Sequence, residues 1–139
     1  MQDNLQNAFE ITVVSSDIYA VECIYDHAVE YIKHHHKIQH VNIDIINDRN
    51  ANEHGKFKGY IINLYWKIFN GPRTGQIFHT DYKITSLSCI KEFFRIKKQM
   101  GFKSREEYFD GQLTGTKCRL VVDLTKSGRN RVAFYYPFP

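Results

Sequence analysis

Seven histidines in a chain of 139 residues are the first feature that could do chemistry. His34, His35 and His36 are consecutive, with His27 and His40 on either side. A metal site needs ligands that face one point, as i and i+4 do on a helix, with partners behind them. Three adjacent histidines on one strand or loop cannot all face one ion. The run therefore reads as an exposed polar loop that gains charge only in mild acid, and no metal is expected there. Carboxylates clustered to hold Mg²⁺ would point to a nuclease. Only Asp44 and Asp48 near one strand end, and Asp123 with Lys126 on another, come near that pattern. A metal-dependent nuclease is thus a minor rival. No nucleophile elbow, phosphate-binding loop or dinucleotide fingerprint is present, so no cofactor is implied and the chain is expected not to be an enzyme.

The remaining constellation interleaves basic residues with aromatic ones. Tyr65, Lys67 and Phe69 share one face of a single strand pattern. Lys56, Phe57, Lys58 and Arg73 stand close by, and Phe78 and Tyr82 lie on the next segment. Further on come Lys117, Arg119, Lys126, Arg129, Arg131 and Tyr135. Single-stranded nucleic acid is held by a cationic groove with aromatic platforms, because every base has a π-face. Lys67, Arg73, Lys117, Arg119, Arg129 and Arg131 are the expected phosphate contacts. Tyr65, Phe69, Tyr82 and Tyr135 are the expected stacking rings. The bland alternative is that strand aromatics pack against one another. Nine Tyr and ten Phe exceed what a groove needs, so most of them must be structural.

Charge is divided unevenly along the chain. The formal net charge is +4. Residues 1–55 have a balance of −6 and residues 56–139 one of +10. A cationic portion of this kind is the footprint of a polyanion binder.

Several elements must position these residues. The polar residues 1–8 are expected to be a flexible N-terminus, and 9–139 a single domain. Phe9–Val14 is a short strand candidate. Residues 17–33 are ambiguous. Ile18, Val21, Tyr25, Ala28 and Ile32 recur at helical spacing, while Tyr19, Val21, Cys23 and Tyr25 alternate as in a strand. The β-branched and aromatic content favours a strand over 18–25. His40–Ile46 alternates cleanly, and 47–55 reads as a loop. Tyr60–Phe69 is the clearest strand, with Tyr60, Ile62, Leu64, Trp66 and Ile68 on one face. A turn at 70–75 returns the chain into Gln76–Thr85, which predicts a hairpin. A helix is expected over 86–100, capped by Ser86 or Ser88 and stopped by Gly101. A second short helix is expected from Ser104 to Gly111. Lys117–Leu124 and Arg131–Tyr136 form a closing hairpin within 116–136.

The order is strands, then a helix, then a two-stranded hairpin. That is the order of the small oligonucleotide-binding (OB) barrel, so the fold class is mainly β with one helix. The hydrophobic fraction of 42% and aromatic fraction of 14% rule out a disordered chain. Mean hydropathy is −0.46. No apolar run approaches the roughly 20 residues that span a bilayer, and no secretory signal opens the sequence. A cytoplasmic location without membrane contact is expected. Cys23, Cys89 and Cys118 form no C-x-x-C pair and read as small buried hydrophobes in a reducing compartment.

The stretch from Gly59 onward resembles phage and prophage single-stranded DNA-binding proteins with an OB barrel. The resemblance rests on Tyr60–Ile68 and on Gly75-Gln76-Ile77-Phe78. It continues through a helix, Leu113-Thr114-Gly115-Thr116-Lys117-Cys118 and Arg129-Asn130-Arg131-Val132. It covers about 80 of the 139 residues. It implies a non-catalytic, non-sequence-specific coat for single-stranded DNA in phage replication or recombination, in the host cytoplasm. Partners would be single-stranded DNA and replication or recombination proteins. A homodimer through an exposed strand edge is an open alternative. The acidic first 55 residues depart from the family pattern, and Phe134–Pro139 lacks an acidic partner-recruiting tail. The rival reading from a different class is a protein-interaction module, such as a phage-encoded inhibitor of a host enzyme.

Overall fold

The computed structural model describes residues 10–32, 37–40, 59–84, 87–102 and 108–139. The elements are β1 (Asp17–Ile32), β2 (Lys37–His40), β3 (Gly59–Ile68), β4 (Ile77–Ile84), α1 (Leu87–Gln99), β5 (Lys117–Leu124) and β6 (Asn130–Pro137). The chain is mainly β with one helix among the described residues, as expected. Every strand pairing within the sheet is antiparallel, in the order β4-β3-β1-β5-β6, with β2 on the edge of β1. No described ladder joins β4 to β6. The sheet therefore curls like a barrel that stays open along one seam, within the partly open range of the OB class.

The ambiguous segment is one strand, β1, sixteen residues long. Its length lets it serve two partners. Val21–Tyr31 pairs with β3, while Asp17–Glu22 pairs with β5 along the opposite edge. Between β5 and β2 that edge is taken by a loop. Cys23 N–H donates to Thr116 O, Gly115 N–H to Cys23 O and Gly111 N–H to Asp26 O. A β-bulge between Cys23 and Tyr25 shifts the pleat by one residue. Val21 and Cys23 thus face the core before the bulge, and Asp26 and Ala28 after it.

The core forms where the sheet wraps α1. Tyr60, Ile62, Leu64, Trp66 and Ile68 of β3 are all buried, as their alternation predicts. The Trp66 indole donates to Thr80 Oγ1 at 2.8 Å, so the largest core side chain leaves no polar atom unmatched. Ile90, Phe93, Phe94 and Ile96 are the buried stripe of α1. The helix ends in a Schellman motif. Gly101 takes φ +91°, Phe102 N–H donates to Lys97 O, and Gly101 N–H to Lys98 O.

Several expectations are corrected or fall outside the described residues. Phe9–Val14 was expected to be a strand; residues 10–14 make a single parallel bridge, Ile11 with Ile77. They run on as a strap, because Asn130 receives Val14 N–H on Oδ1 and donates its amide to Val14 O. The short helix expected from Ser104 to Gly111 falls mostly outside the described residues; of its described part, Tyr108 and Phe109 are irregular and Asp110 and Gly111 are in a turn. Residues 41–58, with Asp44 and Asp48, and the helix cap Ser86 lie outside the described residues, as do His34–His36 and Ser104. Cys23 and Cys118 are buried and Cys89 half-buried, all as free thiols. Burial pushes the Cys118 thiol up to about 12, so it packs as a hydrophobe. No helix of the described residues is long and apolar enough to cross a membrane.

Candidate nucleic-acid interface

Strand register decides which of the basic and aromatic residues meet. On the outer face of the sheet Lys67 of β3 and Lys117 of β5 flank Glu22 of β1, with which both are in register. One step along, Phe69 follows β3 and donates its N–H to Ala20 O, and Ala20 is in register with Arg119. Lys117 Nζ sits 5.3 Å from the Phe69 ring centroid, a cation–π distance. Arg73 is on the adjoining turn. Lys67, Phe69, Lys117 and Arg119 therefore come from segments about fifty residues apart and share one patch. No carboxylate of the described residues forms an ion pair with Lys67, Arg73, Lys117 or Arg119.

Arg129 and Arg131 lie elsewhere, near the open seam. Arg129 pairs with Asp81 of β4 at 3.7 Å, and Arg131 makes a two-pronged contact with Asp123 at 2.9 and 3.0 Å. Asp123, the described member of the nuclease set, is thereby occupied. Its hydrogen bonds from Arg131 hold its carboxyl below the ordinary range. Both pairs are exposed and add little to stability.

Two of the four expected stacking rings face inward. Tyr82 is opposite Ile62, packs on Phe93 at 5.6 Å and donates to Cys89 O. Burial pushes its hydroxyl up to about 12. Tyr135 is opposite Leu120 and belongs to the core. Neither ring is open to a base. Tyr65 does lie on the outer face, but Tyr25 and His79 flank it at 5.8 and 4.8 Å and leave it only 6% exposed. Phe69 is half-buried and touches Phe138 edge-on.

Sequence reasoning passed over three open rings on the last segment, as well as Phe109, 54% exposed on the 108–116 loop. Phe134, Tyr136 and Phe138 are 59%, 44% and 41% exposed, and Ile18 beside them 63%. Their signal was the aromatic-rich stretch Phe134-Tyr135-Tyr136-Pro137-Phe138. Ala133 is an extra residue on β6, since Val121 pairs with Phe134 and Val122 with Val132. That bulge turns Tyr135 inward and its neighbours outward.

Beside the seam, His79 borders a cleft of about 350 Å³ that also meets Asp81 and Arg129. His79 Nε2–H donates to Asn63 Oδ1 at 2.8 Å. Burial lowers its pKa from 6.5, and Arg129 adds to this against the opposing pull of Asp81. The folded state thus resists a proton that the unfolded chain accepts. Stability from this group is complete above pH 6.5 and is lost as pH falls below it. His79→Gln should flatten the stability–pH curve between pH 6.5 and 5, measured by urea unfolding. An unchanged curve would place the sensitivity elsewhere.

No group of three or more His, Cys, Asp or Glu suited to a metal occurs among the described residues. A scan against protein-family models finds no match to the chain. Searches of curated proteins and of solved structures find none either.

Proposed function

We propose that the chain is a non-sequence-specific single-stranded DNA-binding protein, of the kind that serves phage replication or recombination. One observation carries this reading. Cations that pair with no carboxylate of the described residues, and open aromatic rings, adjoin on one outer face of an OB-type sheet. Cations on such a surface meet phosphates, and rings meet bases, with no requirement for a particular sequence. Nothing in this chemistry needs a bond to be made or broken. The role is therefore one of coating and protecting exposed strands.

The direct test is fluorescence anisotropy with a labelled oligo-dT of about 30 nucleotides, long enough for the site sizes known for such folds. Four phosphate contacts, at Lys67, Arg73, Lys117 and Arg119, predict a slope of log affinity against log salt of about −3. A matched duplex should bind more weakly. No binding at low salt, or equal binding to duplex, would overturn the reading. In that case the exposed Ile18, Phe134 and Tyr136 favour the second reading, a protein-interaction module. Capture of a defined host protein without oligonucleotide binding would then be expected.

A further inference from the structure

We infer that Phe134, Tyr136 and Phe138 form a stacking rail along β6 that takes consecutive unpaired bases, one to a ring. The inference rests on the reading of the chain as a single-strand binder and goes beyond it. It names the residues that meet the bases and the form of nucleic acid they accept.

The argument begins with the bulge at Ala133. It sets Phe134 and Tyr136 on the outer face two positions apart on β6, and exposed Phe138 follows just beyond the strand's end. A strand spaces such positions by about 6.6–7 Å. The Phe134 and Tyr136 ring centroids are 6.3 Å apart and their planes differ by 31°. Stacked nucleotides rise by about 3.4 Å each, half that interval. The rail thus matches a strand drawn out and unstacked. A duplex keeps its bases paired and stacked on one another, so it has no free faces to lay on the rings.

Charge identifies the occupant as a polyanion. The rail is bordered by Arg119, in register with Tyr136, and by Lys117, which lines one cleft with Phe138 and sits over the Phe69 ring that Phe138 touches. Arg131 and Asp123 at the far end cancel each other. Glu22 lies at the cationic end, between Lys67 and Lys117. Lys67, Lys117 and Arg119 outnumber it. A protein partner would need only the apolar rings. A nucleic-acid strand uses both the rings and the row of cations beside them. Phe69, packed edge-on to Phe138 at 5.1 Å, braces the cationic end.

The test uses the full chain, labelled oligo-dT and the single and triple alanine variants at 134, 136 and 138. Each single variant should lose about tenfold in affinity, and the triple a hundredfold or more. The salt slope should stay unchanged, because no cation is removed. Ultraviolet crosslinking of oligo-dT to the unaltered protein should map to the β6 peptide, which answers the question even if a variant folds poorly. Unaltered protein that binds oligo-dT, with variants that bind equally well, would overturn the rail and leave the broader function standing. Unaltered protein that binds no oligonucleotide would remove that function itself. Sedimentation completes the test. A dimer that the triple variant converts to monomer, with oligo-dT affinity intact, would show a second copy on these rings and also overturn the rail.

Discussion

Asp26→Ala is expected to lower the stability of the fold by about 3–5 kcal/mol, the cost of removing a buried charged acceptor from three donors. Asp26 lies on the core face of β1 and is 1% exposed. Its carboxylate accepts from the Tyr108 hydroxyl at 2.8 Å, the Thr114 hydroxyl at 2.5 Å and Gly111 N–H at 3.1 Å. All three donors lie on the 108–116 loop that fills the edge of β1. Burial, with Asp26 beside it, pushes the Tyr108 hydroxyl far up, so it stays a donor at any ordinary pH. Alanine removes the carboxylate from the Tyr108 and Thr114 hydroxyls, leaves Gly111 N–H only the backbone carbonyl of residue 26, and loosens the loop. Urea unfolding followed by Trp66 fluorescence should show the midpoint fall sharply. Tyr108→Phe, which deletes one donor and keeps the ring, should cost about 1–2 kcal/mol. A loss below about 1 kcal/mol for Asp26→Ala would mean that the carboxylate does not tie the loop down.

Reversing Lys117 and Arg119 together to glutamate should weaken oligo-dT binding by more than about a hundredfold at low salt, through two lost phosphate contacts and two new repulsions. The salt slope should become shallower by about 1.4, at roughly 0.7 for each contact. Both side chains are exposed, so the melting temperature should move little. The one packing loss is the contact of Lys117 with Phe69, worth about 0.5–1 kcal/mol. Arg131→Glu is the control. Its guanidinium is already engaged by Asp123, and its effect should be several-fold smaller. Weakened binding with an unchanged slope would mean that these residues do not meet phosphates.

Much of the fold can be read in the sequence where one rule acts alone. The alternation of Tyr60–Ile68 yields β3 within a residue, and Gly101 stops α1 where its freedom at positive φ is needed. Reading fails where a bulge changes the phase. In β1 the inward residues run Val21, Cys23, Asp26, Ala28, so the extra residue inserts a step of three that imitates a helix. In β6 the bulge at Ala133 trades the faces of Tyr135 and its neighbours. An expected stacking ring therefore lies in the core, and the rings that look out went unnoticed. Tyr82 is a different case. Its inward position follows from pairing with Ile62, which only the hairpin register reveals. The grouping of Lys67, Phe69, Lys117 and Arg119 depends on β1 bridging β3 and β5, a long-range pairing that no local pattern encodes.

The strap that links Val14 to Asn130 also governs when the molecule can be finished. Its two hydrogen bonds join residues 116 positions apart, and β1 waits almost as long for β5. A growing chain must therefore extend past Val122 before β1 has β5 beside it. Until then that edge of β1 is covered only by β2 at Val29–Ile32, and the stretch before it stands bare, open to pairing with another unfinished chain. Contacts so distant in sequence also slow refolding, toward the millisecond-to-second range of small β barrels. The clasp between Val14 and Asn130 is thus among the last contacts made, and synthesis in a crowded setting is a stage at which the uncovered part of β1 is open to a neighbour.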